Sequence, residues 1–178
     1  MMLATPYRDQ DPTGLWVSEK MDGCRAFWDG QCFRTKESWA VIDAPAFMSE
    51  GLPRGQAIDG ELWANRGTFE MVRQLVQYKR AGSPDWSRVR FMAFDAPCTI
   101  SRGFEERQEQ LASLLANAGP HAELVQHWKC TGGKAALMVD FRRVLSLGGE
   151  GLVLRKPGHF YAFGRSNAWL KVKPCNVD

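Results

Sequence analysis

Several common chemistries are missing from this 178-residue chain. Its five cysteines, at 24, 32, 98, 130 and 175, form no C-x-x-C pair. An odd, scattered set excludes a disulfide framework or a zinc ribbon and suits a reducing compartment. The histidines at 121, 127 and 159 lack the spacing of a metal site, and no Gly-x-Ser-x-Gly accompanies them. Thr131-Gly132-Gly133-Lys134-Ala135 lacks both the earlier glycine and the Ser or Thr that a phosphate loop needs after its lysine. It reads instead as a helix start capped by Thr131. No apolar run approaches the ~20 residues that span a bilayer. No basic n-region followed by an apolar stretch opens the chain. Membrane insertion and secretion are therefore not expected, and a cytoplasmic protein is. No internal repeat or low-complexity segment is present. A net charge of +3 tolerates nucleic acid without demanding it, because a basic face can hide in a near-neutral total.

What is present is enough apolar sequence for a sizeable core, with no composition break marking an internal boundary. Short strands are predicted over 15–20, 25–29, 31–34, 56–58, 61–63, 88–94, 124–126, 151–154 and 169–172. Asp29-Gly30 makes a tight hairpin turn, and Asp59-Gly60 separates two strands. Helices are predicted over 44–50, 68–79, 104–117 and 134–147, the last two stopped by Gly119-Pro120 and Gly148-Gly149. This mixture is α+β.

Five stretches could carry chemistry. Ser18-Glu19-Lys20-Met21-Asp22-Gly23-Cys24-Arg25 sets one amine among two carboxylates, a turn-forming glycine and a guanidinium. Lysine has a pKa near ~10.4 and is a poor nucleophile until burial, nearby cations or a metal activate it. The same letters also fit a charged strand end before a turn. Asp59-Gly60-Glu61 and Glu150-Gly151 each place a glutamate beside glycine at the mouth of an apolar strand, where it could serve a phosphate-bound magnesium ion or simply face water. Trp169-Leu170-Lys171-Val172-Lys173 puts two lysines on one strand face, suited to a triphosphate or to a guarded sheet edge. Phe94 ends an apolar strand and could stack on a purine or pack in the core.

Taken in order, these stretches resemble the collinear motifs of the covalent nucleotidyltransferases, which include ATP-dependent DNA ligases, RNA ligases and mRNA capping enzymes. Lys20 to Arg25 is similar to their motif I, and Arg34 to the arginine that follows it. Asp59-Gly60-Glu61 is similar to motif III, Phe91 to Phe94 to motif IIIa, Glu150 to Val153 to motif IV, and Leu170 to Lys173 to motif V. The resemblance covers roughly residues 15 to 174, and its wording is most similar to the minimal type E DNA ligases of bacteria. It implies an ATP-grasp-like ligase and capping-enzyme fold of antiparallel sheets flanked by helices. It implies ATP and magnesium or manganese as cofactors, and nicked duplex DNA as the partner of a monomer that does not engage membranes.

The resemblance also implies a role for each residue. Lys20 would attack the α-phosphate of ATP, and Asp22 would orient it or meet the ribose. Ser18 and the Glu19 backbone would read adenine, and Phe94 would stack on it. Arg25 and Arg34 would hold ribose and phosphate oxygens. Glu61 would bind ribose or a metal-bound water, and Glu150 the metal, which makes these two the candidate metal ligands. Lys171 and Lys173 would neutralise the α-phosphate. Two departures matter. Thr35-Lys36-Glu37 stands where the family has small residues and an asparagine, which leaves substrate choice open between DNA and RNA. The family also continues into an oligonucleotide-binding barrel. The residues after Lys173 cannot form one, so residues 1–178 are expected to be a single nucleotidyltransferase domain: naturally minimal, completed by a barrel in trans, or cut from a longer chain. A binding remnant that kept the fold is the non-catalytic alternative.

Overall fold

The computed structural model describes residues 1–97 and 101–176; Cys98 lies outside them. In chain order the strands are β1 (Met2–Pro6), β2 (Trp16–Glu19), β3 (Cys24–Trp28), β4 (Phe33–Thr35), β5 (Ile58–Trp63), β6 (Arg90–Asp95), β7 (Ala122–Leu124), β8 (Trp128–Lys129), β9 (Leu152–Arg155) and β10 (Gly164–Val172). The helices are α1 (Phe69–Gln77), α2 (Phe104–Leu114) and α3 (Gly133–Ser146). The backbone separates into two compact units, one of residues 1–21, 101–105 and 126–176, the other of 22–97 and 106–125.

The first unit is built on a five-stranded sheet in the order β1-β10-β9-β2-β8. Its pairings are antiparallel except for the edge pair β1–β10, which is parallel. Leu137, Phe141 and Val144 recur at helical spacing along α3 and are buried. They join Val17, Leu152, Leu154, Leu170 and Val172 of the sheet in one apolar core. The expected Thr131 cap is not used. Gly132 is the N-cap of α3 and no side chain caps the helix.

The second unit holds the order β4-β3-β5-β6-β7, again antiparallel except at one edge, β6–β7. Its core gathers Trp28, Ile58, Leu62, Trp86 and Phe91 with Val72 and Leu75 of α1. Asp59-Gly60 is not a turn. One strand runs through it, with a bulge between Asp59 and Gly60. The glycine answers a different need: a Cβ there would lie 2.5 Å from the Phe91 ring and 2.7 Å from the Met92 carbonyl oxygen. The helix expected over 44–50 is a short 3-10 turn, Ala46–Ser49. Strand β1 carries no alternation and β8 is only two residues long, so neither was legible in the sequence. No helix among the described residues is long and apolar enough to cross a membrane, and Cys24, Cys32, Cys130 and Cys175 are free thiols.

Candidate active site

In the first unit, β2 and β9 pair so that Glu19 faces Leu152, and the Lys20 N–H donates to the Gly151 carbonyl at 2.9 Å. This backbone bond sets Lys20 beside the start of β9, where Glu150 stands. The Lys20 Nζ donates to Glu150 Oε2 at 2.5 Å. Lys173, just past the end of β10, pairs with the other carboxylate oxygen, Oε1. One carboxylate thus holds two ammonium groups, all three side chains about a quarter exposed. Burial pushes the Glu150 carboxyl up, but hydrogen bonds from Lys173 and Lys20 outweigh that and hold it below its ordinary value. Lys171 lies two residues before Lys173 on β10, opposite Val153.

Gly151 explains why this carboxylate can sit so close to β10. Its φ is +147°, and a Cβ would fall 2.1 Å from the Val172 carbonyl oxygen. Only glycine permits that crossing. Ser18 is fully buried, and its hydroxyl accepts from Arg155 Nη1 at 2.7 Å. Arg155 stacks over Trp169 at 4.7 Å and Phe104 at 5.7 Å. Sequence reasoning gave Arg155 no role. A lone arginine closing the apolar run Leu152-Val153-Leu154 was the available signal.

In the second unit, Arg25 on β3 faces Glu61 on β5. Its guanidinium grips the buried Asp59 at both oxygens, 2.7 and 2.8 Å. It also lies over the Phe94 ring, 4.5 Å from the centroid. Glu61 accepts from the Gly23 N–H at 3.3 Å, and a Cβ on Gly23 would meet the Leu62 carbonyl oxygen at 2.2 Å. The motif's glycine therefore allows close strand approach as well as a turn. Asp22 is half-buried at the head of this segment.

Beside this group, Asp95 faces Asp59 across the strands. Asp95 is held by Arg107 at 2.6 and 3.0 Å, with both partners fully buried. Gln108 donates to the Phe94 carbonyl at 2.8 Å. The sequence reading assigned no function to Asp59, Asp95 or Arg107. Arg34 does not join this group. It sits on β4 opposite Phe27, with its Nε on Asp29 Oδ2 at 2.7 Å. Burial raises the Asp29 carboxyl, but hydrogen bonds from the Cys32 and Gln31 amides and from Arg34 hold it below its ordinary value.

The structure therefore assembles Lys20, Glu150 and Lys173 in one unit, and Arg25, Glu61 and Phe94 in the other. Among the described residues, no three or more His, Cys, Asp or Glu side chains form a cage for a metal ion.

Two mixed sheets flanked by few helices, with a lysine held on a strand-mouth carboxylate, define the nucleotidyltransferase class of fold. The fold is shared with the Chlorella virus DNA ligase-adenylate at 22% identity, a TM-score of 0.78, and coverage of 97% of this chain and 67% of that one. The family model for the ATP-dependent DNA ligase domain matches residues 1–173, and the chain belongs to that family. A Lig E DNA ligase, solved in a study of DNA binding with a minimal scaffold, is 40% identical with a TM-score of 0.88, covering 97% of this chain and 68% of that one. A DNA ligase of Haemophilus influenzae is 31% identical over 179 residues, which span all of this chain and 65% of that protein.

Proposed function

We propose that this chain uses ATP to adenylate Lys20 and passes the AMP to a 5′-phosphate at a nick in duplex DNA, for joining to the neighbouring 3′-hydroxyl. The Lys20–Glu150–Lys173 arrangement carries the reading. Before attack, the ammonium must shed a proton and leave Glu150. The Lys20 Nζ then bonds to the α-phosphorus as the bond to pyrophosphate oxygen breaks. Lys171 and Lys173 supply positive charge for the equatorial oxygens as charge builds there. In the second step a 5′-phosphate oxygen takes the adenylate from Lys20. In the third, the 3′-hydroxyl forms the phosphodiester and AMP departs.

Asp22 orients the lysine. Ser18, the Glu19 backbone and Phe94 recognise adenine, while Arg25 and Glu61 hold ribose. Arg25 comes to this task prearranged, since its clamp on Asp59 and stacking on Phe94 fix its rotamer. Arg34 serves the 5′-phosphate once it turns from Asp29. Magnesium ordinarily takes one or two carboxylates together with substrate phosphates and water, and the partly exposed carboxylate of Glu150 is a donor of that kind. Glu150 in the first unit, or Glu61 in the second, is the carboxylate that would hold such an ion, which would supply charge neutralisation on the phosphates.

The substrate is nicked duplex DNA of the kind left by repair, replication and recombination, and the protein works on it as a cytoplasmic monomer. A DNA-clasping module in trans would raise its affinity. The test is sealing of a 5′-labelled nick with ATP or GTP, on all-DNA and RNA-containing duplexes. ATP-dependent sealing of the DNA nick is expected. Sealing confined to RNA strands, or labelling by GTP alone, would overturn this assignment.

A further inference from the structure

The bulge in the second unit falls at Phe94, the ring read above as meeting adenine. The register steps from Asp59–Asp95 to Gly60–Ala93, so two residues of β6 advance against one of β5, and Phe94 is the extra residue. A regular strand sends neighbouring side chains to opposite faces, and a bulge breaks that alternation. Phe94 and Asp95, though adjacent, both come to the Asp59–Arg25 group. Asp95 lies opposite Asp59, whose carboxylate holds Arg25. The same guanidinium lies over the Phe94 ring, 4.5 Å from its centroid. Ala93 and Ala96, on either side, pack in the apolar core.

A bulge interrupts the ladder, so its backbone needs holding from elsewhere. The grip comes from α2. Leu111, one turn beyond Arg107, is fully buried in the unit's core and seats the helix. From there two consecutive residues hold two consecutive residues of β6. Arg107 clamps the Asp95 carboxylate at 2.6 and 3.0 Å, and Gln108 Nε2 donates to the Phe94 carbonyl at 2.8 Å. The Asp95 carboxylate also accepts from the Ala96 N–H at 2.8 Å. The Gln108 bond carries a cost, because its own Oε1 is buried with no hydrogen-bond partner among the described residues. An apolar side chain of similar size would avoid that cost, so packing alone does not account for an amide here. Holding the Phe94 carbonyl does.

We propose that Gln108 is a positioning residue for nucleotide binding: it fixes the bulge at Phe94 and thereby sets the ring on which the adenine base stacks. The inference rests on the reading of Phe94 as the adenine platform, and it adds a residue outside the motifs that carry that reading. Gln108 acts through Phe94 rather than on the nucleotide.

The experiment measures equilibrium binding of ATP by isothermal titration calorimetry to the 178-residue chain carrying Lys20→Ala, which cannot form the adenylate at that position. Gln108→Leu, Phe94→Leu and the two together are compared in that background. Tripolyphosphate, which has no base to stack, is titrated into each as well. One base–aromatic stack is worth a roughly 5- to 150-fold change in affinity. Gln108→Leu shifts the ring without removing it, so it should weaken ATP binding by roughly three- to tenfold, less than Phe94→Leu does. Tripolyphosphate binding and the melting temperature should stay as in the parent. In the Phe94→Leu background Gln108→Leu should add nothing, because the ring it positions is gone. Gln108→Met, unbranched like the native side chain, guards against a packing fault in Gln108→Leu and should give the same loss. ATP affinity matching the parent in both Gln108 variants would overturn the proposal. So would equal losses for ATP and tripolyphosphate, or a loss that adds in full to that of Phe94→Leu, since the residue would then be structural. ATP binding that behaves as expected, beside a natural chain that never adenylates, would leave the role of Gln108 standing and remove the ligase chemistry instead.

Discussion

Arg107→Leu should be among the most damaging single substitutions in the second unit, although Arg107 has no assigned part in the chemistry. Arg107 and Asp95 are both fully buried and joined by two hydrogen bonds of 2.6 and 3.0 Å. Replacing only the arginine leaves a carboxylate charged in the interior. Its cross-strand neighbour is another buried carboxylate, Asp59, so a like charge worsens its position. Breaking such a pair from one side costs about 3–5 kcal/mol. Against a total stability of ~5–15 kcal/mol that is a large fraction. It corresponds to a fall in Tm of roughly 6–20 °C for a chain of this size. Urea unfolding followed by tryptophan fluorescence would measure it. Asp95→Asn/Arg107→Leu removes the orphaned charge together with its partner, so the double variant should be more stable than Arg107→Leu alone, giving a clear coupling energy. A cost under about 1 kcal/mol for Arg107→Leu, or a double variant no better than the single one, would refute the reasoning.

The Glu150 carboxyl is held below its ordinary value, so its ion pairs add stability above the unfolded-state pKa and lose it as pH falls through the folded one. The stability gap between the natural chain and Glu150→Gln should therefore shrink on acidification, and a gap that widened in acid urea melts would contradict this. Gly151→Ala should destabilise the first unit by about 1–3 kcal/mol or more and slow adenylation, because its Cβ meets the Val172 carbonyl and Glu150 must move. Melting and adenylation rates matching the natural chain would show that the crossing tolerates a side chain. Burial, then the negative charge of Glu61, pushes the Cys24 thiol up to about 11. At pH 8 it should react with a thiol reagent far more slowly than exposed Cys175. Equal rates by peptide mapping would count against that environment.

Much of this was legible because the signals were local. Apolar spacing located α1, a glycine pair marked the end of α3, and nearby letters set Lys20 close to Gly23 and Glu150 beside Gly151. Other features depended on pairing that no local pattern encodes. β1 shows no alternation, and half of β10 is the polar run Gly-Arg-Ser-Asn, which is strand only because β1 pairs with it. Asp59-Gly60 carries a turn signal, but tight packing on Phe91 and Met92 uses the glycine inside a strand instead. The Lys20–Glu150 contact joins residues 130 positions apart, so order along the chain could suggest it but not its geometry. Arg155 and the Arg107–Asp95 pair were given no role for a related reason. A buried arginine reads like a surface one until the strand or helix that covers it is known.

The central claim is that Lys20 is the nucleophile. It is tested most directly by intact mass spectrometry of the chain after incubation with ATP and magnesium, beside Lys20→Ala, with pyrophosphate treatment beforehand to strip any adenylate already present. The account predicts a gain of one AMP on the natural chain, mapped to the Lys20 peptide and absent from the variant. An adenylate that persists in Lys20→Ala, or a natural chain that gains no mass, would contradict it.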